Sequence, residues 1–237
     1  MMRCAVFGAS GGIGSAFVRH LAARDDVAVV FAGSRGGAVP QGPRIRPFTF
    51  DAMDDESLAQ AVAAIGTPLD LVIVATGRLT RADGSGPEKA LRQLTAAALA
   101  EQFADNAIVP AMIARAVLPL MPRDRACTFA ALSARVGSIS DNRLGGWHAY
   151  RASKAALNML VRTIAVEVAR SHPQAVVVAL HPGTVATALS APFQRGVAAE
   201  KLFTPDASAA ALLTVLDGLT PADSGGFYAW DGAAVAF

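Results

Sequence analysis

Short, almost uninterrupted apolar runs alternate along this chain with longer stretches whose apolar residues recur at helical spacing. The runs Arg3–Gly8, Val27–Ala32, the weaker Arg46–Phe50, Leu69–Ala75, Ala126–Leu132, Ala175–Leu180 and Gly226–Trp230 read as strands. The periodic stretches predict helices over Gly12–Arg24, Ser57–Ile65, Ala97 to Leu120, Tyr150–Ser171 and Pro205–Leu216. Asp54 or Asp55 would cap the second of these. The strands lack the in/out alternation of a sheet with one wet face, so both faces should be covered. Strands and helices in turn then predict an α/β fold: a doubly wound parallel sheet of about seven strands with helices on both faces. The expected organisation is a single domain over 1–237.

Four polar or glycine-rich segments read as loops: Gly33–Pro47, Gly77–Pro87, Ala134–His148 and Gly183–Ala199. Three of them follow the carboxyl ends of central strands, where ligands bind in such sheets. A substrate loop is expected near 184–203.

Composition narrows the classes. The 237 residues are 53% hydrophobic and carry a net charge of only +2. That balance gives no reason to expect nucleic acid or an anionic membrane as a partner. The two cysteines, Cys4 and Cys127, fall in strands and read as small buried hydrophobes. With no leader pattern and no apolar stretch of membrane-spanning length, the expected compartment is the cytoplasm.

Chemistry enters at two places. Gly8-Ala-Ser10-Gly11-Gly12-Ile13-Gly14 joins the first strand to the first helix. Glycines there let the backbone turn tightly and approach a pyrophosphate at a helix N-terminus. The second strand ends in Gly33-Ser34-Arg35, with no carboxylate to take a ribose 2′-hydroxyl. Arg35, helped by Ser34, offers donors suited to a 2′-phosphate, so NADP(H) is expected over NAD(H), which stays open. Asp51 stands either to accept from an adenine amino group or as a turn residue before a helix. At the second place, Tyr150 and Lys154 are four residues apart and share a helix face. A lysine ammonium beside a phenol favours the phenolate, and brings the Tyr150 proton within reach of acid–base work.

These motifs, with Asp51, Ala75-Thr76-Gly77, Asn106, Ser133 and Pro182-Gly183, resemble the short-chain dehydrogenase/reductase family over nearly the whole chain. Ser133–Ser140, Gly145-Gly146-Trp147, Tyr150 to Asn158, His181-Pro-Gly-Thr-Val and Trp230-Asp231-Gly232 resemble its C-factor-like and sniffer-like branch. The resemblance implies hydride transfer between a nicotinamide and a small-molecule carbonyl or alcohol. It implies that Tyr150 gives the proton, that Lys154 lowers its pKa and holds ribose hydroxyls, and that Asn106 holds a water behind Lys154. Bonding of the Asn106 side chain to backbone is the alternative. Gly8, Ser10, Gly11, Gly12, Ile13, Gly14, Ala75, Thr76 and Gly77 would line the dinucleotide, and Pro182, Gly183, Val185 and Thr187 would close over the carboxamide. A homodimer or homotetramer is also implied.

Two departures from the family pattern stand out. Counting back from Gly137 puts Ala134 where the catalytic serine usually stands, with Ser133 one residue earlier. Ser133 is the expected carbonyl-polarising hydroxyl, with Ser138 and Ser140 as alternatives from the longer loop. Ala75-Thr76-Gly77 replaces an asparagine-bearing motif, and Thr76 is expected to brace the backbone. A developmental signal belongs to the same branch, which leaves a second expectation: a dinucleotide-binding signalling or redox-sensing protein with little turnover. Among secondary candidates, His148 and Trp147 could face substrate, whereas His181 reads as structural.

Overall fold

A period of two runs through the central strands, and it sorts the core into two halves. In the computed structural model, which describes residues 1–66, 68–194, 198 and 201–237, β1 (Met2–Phe7) sends Cys4 and Val6 to one face of the sheet and Ala5 and Phe7 to the other. In β6 (Ala175–His181), Val176, Val178 and Leu180 share the first face, and Ala175, Val177 and Ala179 the second. Both sets are buried, and this is why the sequence reads as continuous apolar runs.

The first face is covered by α1 (Gly12–Ala23) and α6 (Pro205–Gly218). The second is covered by α2 (Asp55–Ile65), α4 (Val109–Val117) and α5 (His148–Val168). The remaining strands are β2 (Val27–Ser34), β3 (Ile45–Thr49), β4 (Leu71–Val74), β5 (Cys127–Leu132) and, last in the chain, β9 (Phe227–Ala229). Seven strands pair in the order β3-β2-β1-β4-β5-β6-β9, all parallel. The order reverses between β1 and β4, so the crevice beyond their carboxyl ends is the natural ligand site.

Local chemistry explains most boundaries. Asp54, not Asp55, caps α2 by accepting from the N–H groups of Glu56 and Ser57. Pro205 opens α6 at a position where no N–H is needed, behind Thr204, whose hydroxyl accepts from Ala207 N–H.

Three features differ from the sequence expectation. The loop expected from Gly33 starts later, because Gly33 and Ser34 still pair with β3. The long helix over Ala96–Leu120 is interrupted: α3 (Ala96–Phe103) and α4 flank a π-helical turn at Ala104–Ile108, which contains Asn106. By length and composition Ala96–Leu120 could cross a membrane, but Ile113, Ala114 and Val117 sit in the core against the sheet. A second small sheet pairs β7 (Thr184–Val185) with β8 (Leu202–Phe203), two dipeptides too short to stand out as apolar runs. Of the expected substrate loop near 184–203, residues 195–197 and 199–200 lie outside the described residues.

Candidate active site

Beyond the carboxyl ends of β1, β4 and β5 two cavities of about 370 and 230 Å³ meet. They share Gly11, Ala75, Thr76 and Gly77 as a common wall, and so form one trough.

The larger cavity lies at the β2 side. The Gly8 and Ala9 N–H groups both donate to the Gly33 carbonyl at 2.9 Å, which fastens the glycine turn to β2. Gly8 has φ +91, and a Cβ there would lie 2.8 Å from the Ala75 carbonyl group. A Cβ on Gly14 would run into the Gly8 carbonyl oxygen, so close backbone approach is built in. Ser10, Gly11, Ser34, Arg35 and Asp51 all line this cavity, with Arg35 exposed. Ser34 is not poised as expected. Its hydroxyl donates to Gly37 O at 2.8 Å and accepts from Gly36 N–H, so it shapes the loop beneath Arg35. Asp51 acts as the turn residue, since Oδ1 accepts from Met53 N–H at 2.9 Å, while its carboxylate also borders the cavity.

The smaller cavity carries the acid–base candidates. Gly12, Ile13, Gly14, Asn106, Ser133, Tyr150, Lys154, Pro182 and Thr187 line it. Gly183 and Val185 do not border it. Gly183, at φ +78, has the Phe203 and Trp230 rings where a Cβ would go, and Val185 is buried in β7. Both stand behind the wall.

Tyr150 and Lys154 are buried on one stripe of α5, with the Lys154 Nζ 5.9 Å from the Tyr150 ring centre. Nζ donates to Leu132 O at 2.9 Å. Burial disfavours both charged forms, pushing the Tyr150 phenol well above its ordinary value and the Lys154 ammonium down to about 8. Desolvation therefore outweighs the mutual attraction, and Tyr150 holds its proton at neutral pH.

Ser133 extends β5, its N–H donating to Leu180 O. Its hydroxyl donates to Asn158 Oδ1 at 2.7 Å. The amide orientation is fixed from the other side, because Asn158 Nδ2 faces the Gly137 carbonyl, which can only accept. Ser138 and Ser140 do not enter the cavity. Ser138 accepts from Asp141 N–H, and Ser140 donates to Phe237 O. Asn106 takes the backbone-bonding alternative: Oδ1 accepts from Arg78 N–H, and Nδ2 donates to Arg78 O and Gln102 Oε1. Thr76 makes no bracing bond. Its Oγ1 is buried and unpartnered among the described residues, at the seam of the two cavities. A buried orphan hydroxyl beside a glycine cradle suits a ligand with polar oxygens running the length of the trough, so these residues fit a dinucleotide.

His148 lines a separate surface cleft with Ser138 and Arg151. His181, pushed down to about 4 by burial, accepts from Arg135 N–H at Nδ1 and is neutral and structural. Burial also pushes Cys4 up to about 12 and Cys127 to about 11, which makes both thiols inert. Asn158 and Glu88 were missed as site residues. Asn158 continues the helical spacing Tyr150, Lys154, Asn158, a signal that was present. Glu88 is buried, and its Oε2 accepts from Ala149 N–H at 3.2 Å, 61 residues away, which no local pattern announces.

Residues 3–197 match the short chain dehydrogenase family model. The C-signal protein of Myxococcus xanthus is 36% identical over 169 residues, covering 71% of this chain and 92% of that one. A 1-hydroxy-2-glutathionyl-2-methyl-3-butene dehydrogenase of Rhodococcus sp. is 32% identical over 234 residues, 96% of each chain. The NADPH-bound carbonyl reductase from chicken fatty liver superposes with a TM-score of 0.85 at 28% identity, covering 100% of this chain and 99% of that one. The chain belongs to the short-chain dehydrogenase/reductase family, on the branch marked by its C-factor-like and sniffer-like motifs.

Proposed function

We propose that this protein is an NADP(H)-dependent oxidoreductase that interconverts a small-molecule carbonyl and its alcohol. The observation that carries the reading is that Ser133, Tyr150 and Lys154 border the same cavity as the glycine turn. When bound, the nicotinamide supplies the hydride to the carbonyl carbon, or takes it in reverse.

The chain's own residues supply the rest. Tyr150, protonated at neutral pH, gives its proton to the carbonyl oxygen as negative charge develops there. Lys154, titrating near 8 beside it, restores that proton and donates to ribose hydroxyls. Ser133 polarises the carbonyl by turning its hydroxyl from Asn158 toward the substrate. Asn106 keeps the segment after β4 in place through both polar groups of the Arg78 backbone. At the other end Arg35 pairs with the 2′-phosphate, a reading supported by likeness to the NADPH-bound chicken reductase, while likeness to the Rhodococcus dehydrogenase supports the carbonyl–alcohol chemistry.

Tyr150→Phe tests this. It should cut NADPH consumption across a panel of aldehydes and quinones by about 10²- to 10⁴-fold while NADPH still binds; turnover within about tenfold of the unaltered protein would refute the role of Tyr150. A second reading, a dinucleotide-binding signal protein with little turnover, draws on the likeness to the C-signal protein and on the commitment of the Ser133 proton to Asn158. Failure of the unaltered protein to turn over any carbonyl would favour it.

A further inference from the structure

Glu101 and Asp105 stand four residues apart, one in α3 and the other in the π-turn. Like charges at this spacing repel. One side chain answers both. The Arg78 guanidinium reaches Glu101 Oε1 through Nη1 and Asp105 Oδ2 through Nε, each at 3.2 Å. Among the described residues no other cation pairs with either carboxylate. All three side chains are partly buried, so salt and water screen them incompletely.

The backbone carries Arg78 to this point. A Cβ on Gly77 would lie 2.9 Å from Asn106 Oδ1, so the chain passes tight against the π-turn. Asn106 then takes both polar groups of the Arg78 main chain. Glu101 completes the frame by accepting from Ala82 N–H at 2.6 Å.

The placement bears on binding because Arg78 and Asp105 both line the larger cavity, together with Arg35 and Asp51. That cavity is thus lined by two cations and two carboxylates, with the Glu101 carboxylate bonded to Arg78. Without Arg78 the carboxylates would outnumber the cations, and the wall would repel an anionic ligand. Ion pairs of this exposure contribute little to folding, whereas their field acts on any charge that enters the cavity.

We propose that Arg78 is a binding determinant of the trough, which neutralises Asp105 and Glu101 and so lets an anionic dinucleotide settle beside them. The proposal rests on the dinucleotide reading above. It goes further by naming a residue that serves the charge NADPH and NADH share, and not the 2′-phosphate given to Arg35.

The test titrates NADPH and NADH, read by their fluorescence, against the unaltered protein, Arg78→Met, Asp105→Asn and the double variant. Arg78→Met should weaken both cofactors by about tenfold, and the deficit should shrink at high salt. Adding Asp105→Asn should restore both affinities to within about threefold of the unaltered protein. The thermal midpoint without cofactor should move little. Asp105→Asn alone keeps Arg78 and removes one of its carboxylates, so it should tighten both cofactors by a few-fold, a gain that a merely structural role could not give. That variant also decides the matter if Arg78→Met fails to fold.

Unchanged affinity in Arg78→Met overturns the proposal. So does a loss confined to NADPH, which would make Arg78 a second ligand of the 2′-phosphate, and so does a deficit that Asp105→Asn leaves in place. If the unaltered protein binds neither NADPH nor NADH, the dinucleotide reading falls by itself. ADP is then the probe: Arg78 keeps its role if ADP binds the unaltered protein more tightly than Arg78→Met, and loses it if the two bind alike.

Discussion

At the β1–α1 end of the trough a glycine turn and strand ends bring main chain to the wall, beside a loop that the Ser34 hydroxyl shapes. At the β5–α5 end the walls are buried side chains that already hydrogen-bond to protein, as Lys154 does to Leu132 and Ser133 to Asn158. A backbone site works by approach, so its vulnerability is steric. A side-chain site works by proton position, so its vulnerability is electrostatic. Substitutions at the two ends should therefore fail in different ways.

The largest separation is expected between Tyr150→Phe and Gly14→Ala. Removing the phenol should lower kcat by about 10²- to 10⁴-fold, with NADPH affinity and thermal midpoint nearly unchanged. Gly14→Ala forces a methyl into the Gly8 carbonyl oxygen, and should cost about 3 kcal/mol of stability and abolish NADPH binding together. Gly11→Ala sharpens the contrast. Gly11 has φ −75°, a conformation alanine adopts, and its added Cβ would meet nothing nearer than Gly8 O at 3.4 Å. That variant should fold normally and weaken only the ligand, as read by thermal unfolding with and without NADPH. A Gly14→Ala protein that binds NADPH normally would break the steric account.

Lys154 gives a smaller effect with a sign that can be worked out. Its folded pKa is about 8, below the ordinary 10.5, so the unfolded chain binds more protons between those values. Its contribution to stability therefore rises with pH from about 8 upward. Tyr150, raised by burial, opposes this once pH passes its unfolded value of about 10. The net gain should peak between them. Lys154→Met removes the buried ammonium, and should stabilise the fold at pH 7 by up to about 3 kcal/mol and flatten the rise, although activity is lost. Urea unfolding at a series of pH values measures it; an unaltered pH profile would show that Lys154 is not desolvated as described.

The contrast between the two ends also explains how far the sequence could be read. Seven parallel strands and their helices follow from apolar runs and their spacing, because covering both faces of a sheet demands that pattern, whereas the strand order and its switch point come from the structure. Gly8, Gly14, Tyr150 and Lys154 were legible for a related reason: turn glycines and an i, i+4 pair are local signals. What stayed hidden depends on contacts between distant segments. Glu88 caps α5 from 61 residues away, the π-turn at Ala104–Ile108 has no local marker, and the pairing of β7 with β8 joins two dipeptides. The burial of Tyr150 and Lys154 belongs here too. Sequence puts a cation beside a phenol, but only packing reveals that both are buried, which raises the phenol pKa and lowers that of the ammonium.

The smallest effect lies at the edge of the larger cavity, where the two kinds of wall meet. Arg35 is an exposed side chain on a loop shaped by backbone and by Ser34. On the proposed reading, Arg35→Ala removes a charge-assisted contact to a 2′-phosphate that NADH lacks. NADPH affinity should fall about tenfold and NADH affinity stay constant. Ser34→Ala should act one step removed. Its hydroxyl serves the Gly36–Gly37 turn and not the ligand, so the loop loosens by about 1 kcal/mol, and NADPH binding weakens through Arg35 by only a few-fold. In the double variant the Ser34 effect on NADPH should vanish, since nothing then depends on where the loop holds Arg35. Titrating both cofactors against the two single variants and the double variant closes the cycle. Additive losses would mean that Ser34 touches the phosphate itself, and that this corner is built like the β5–α5 end.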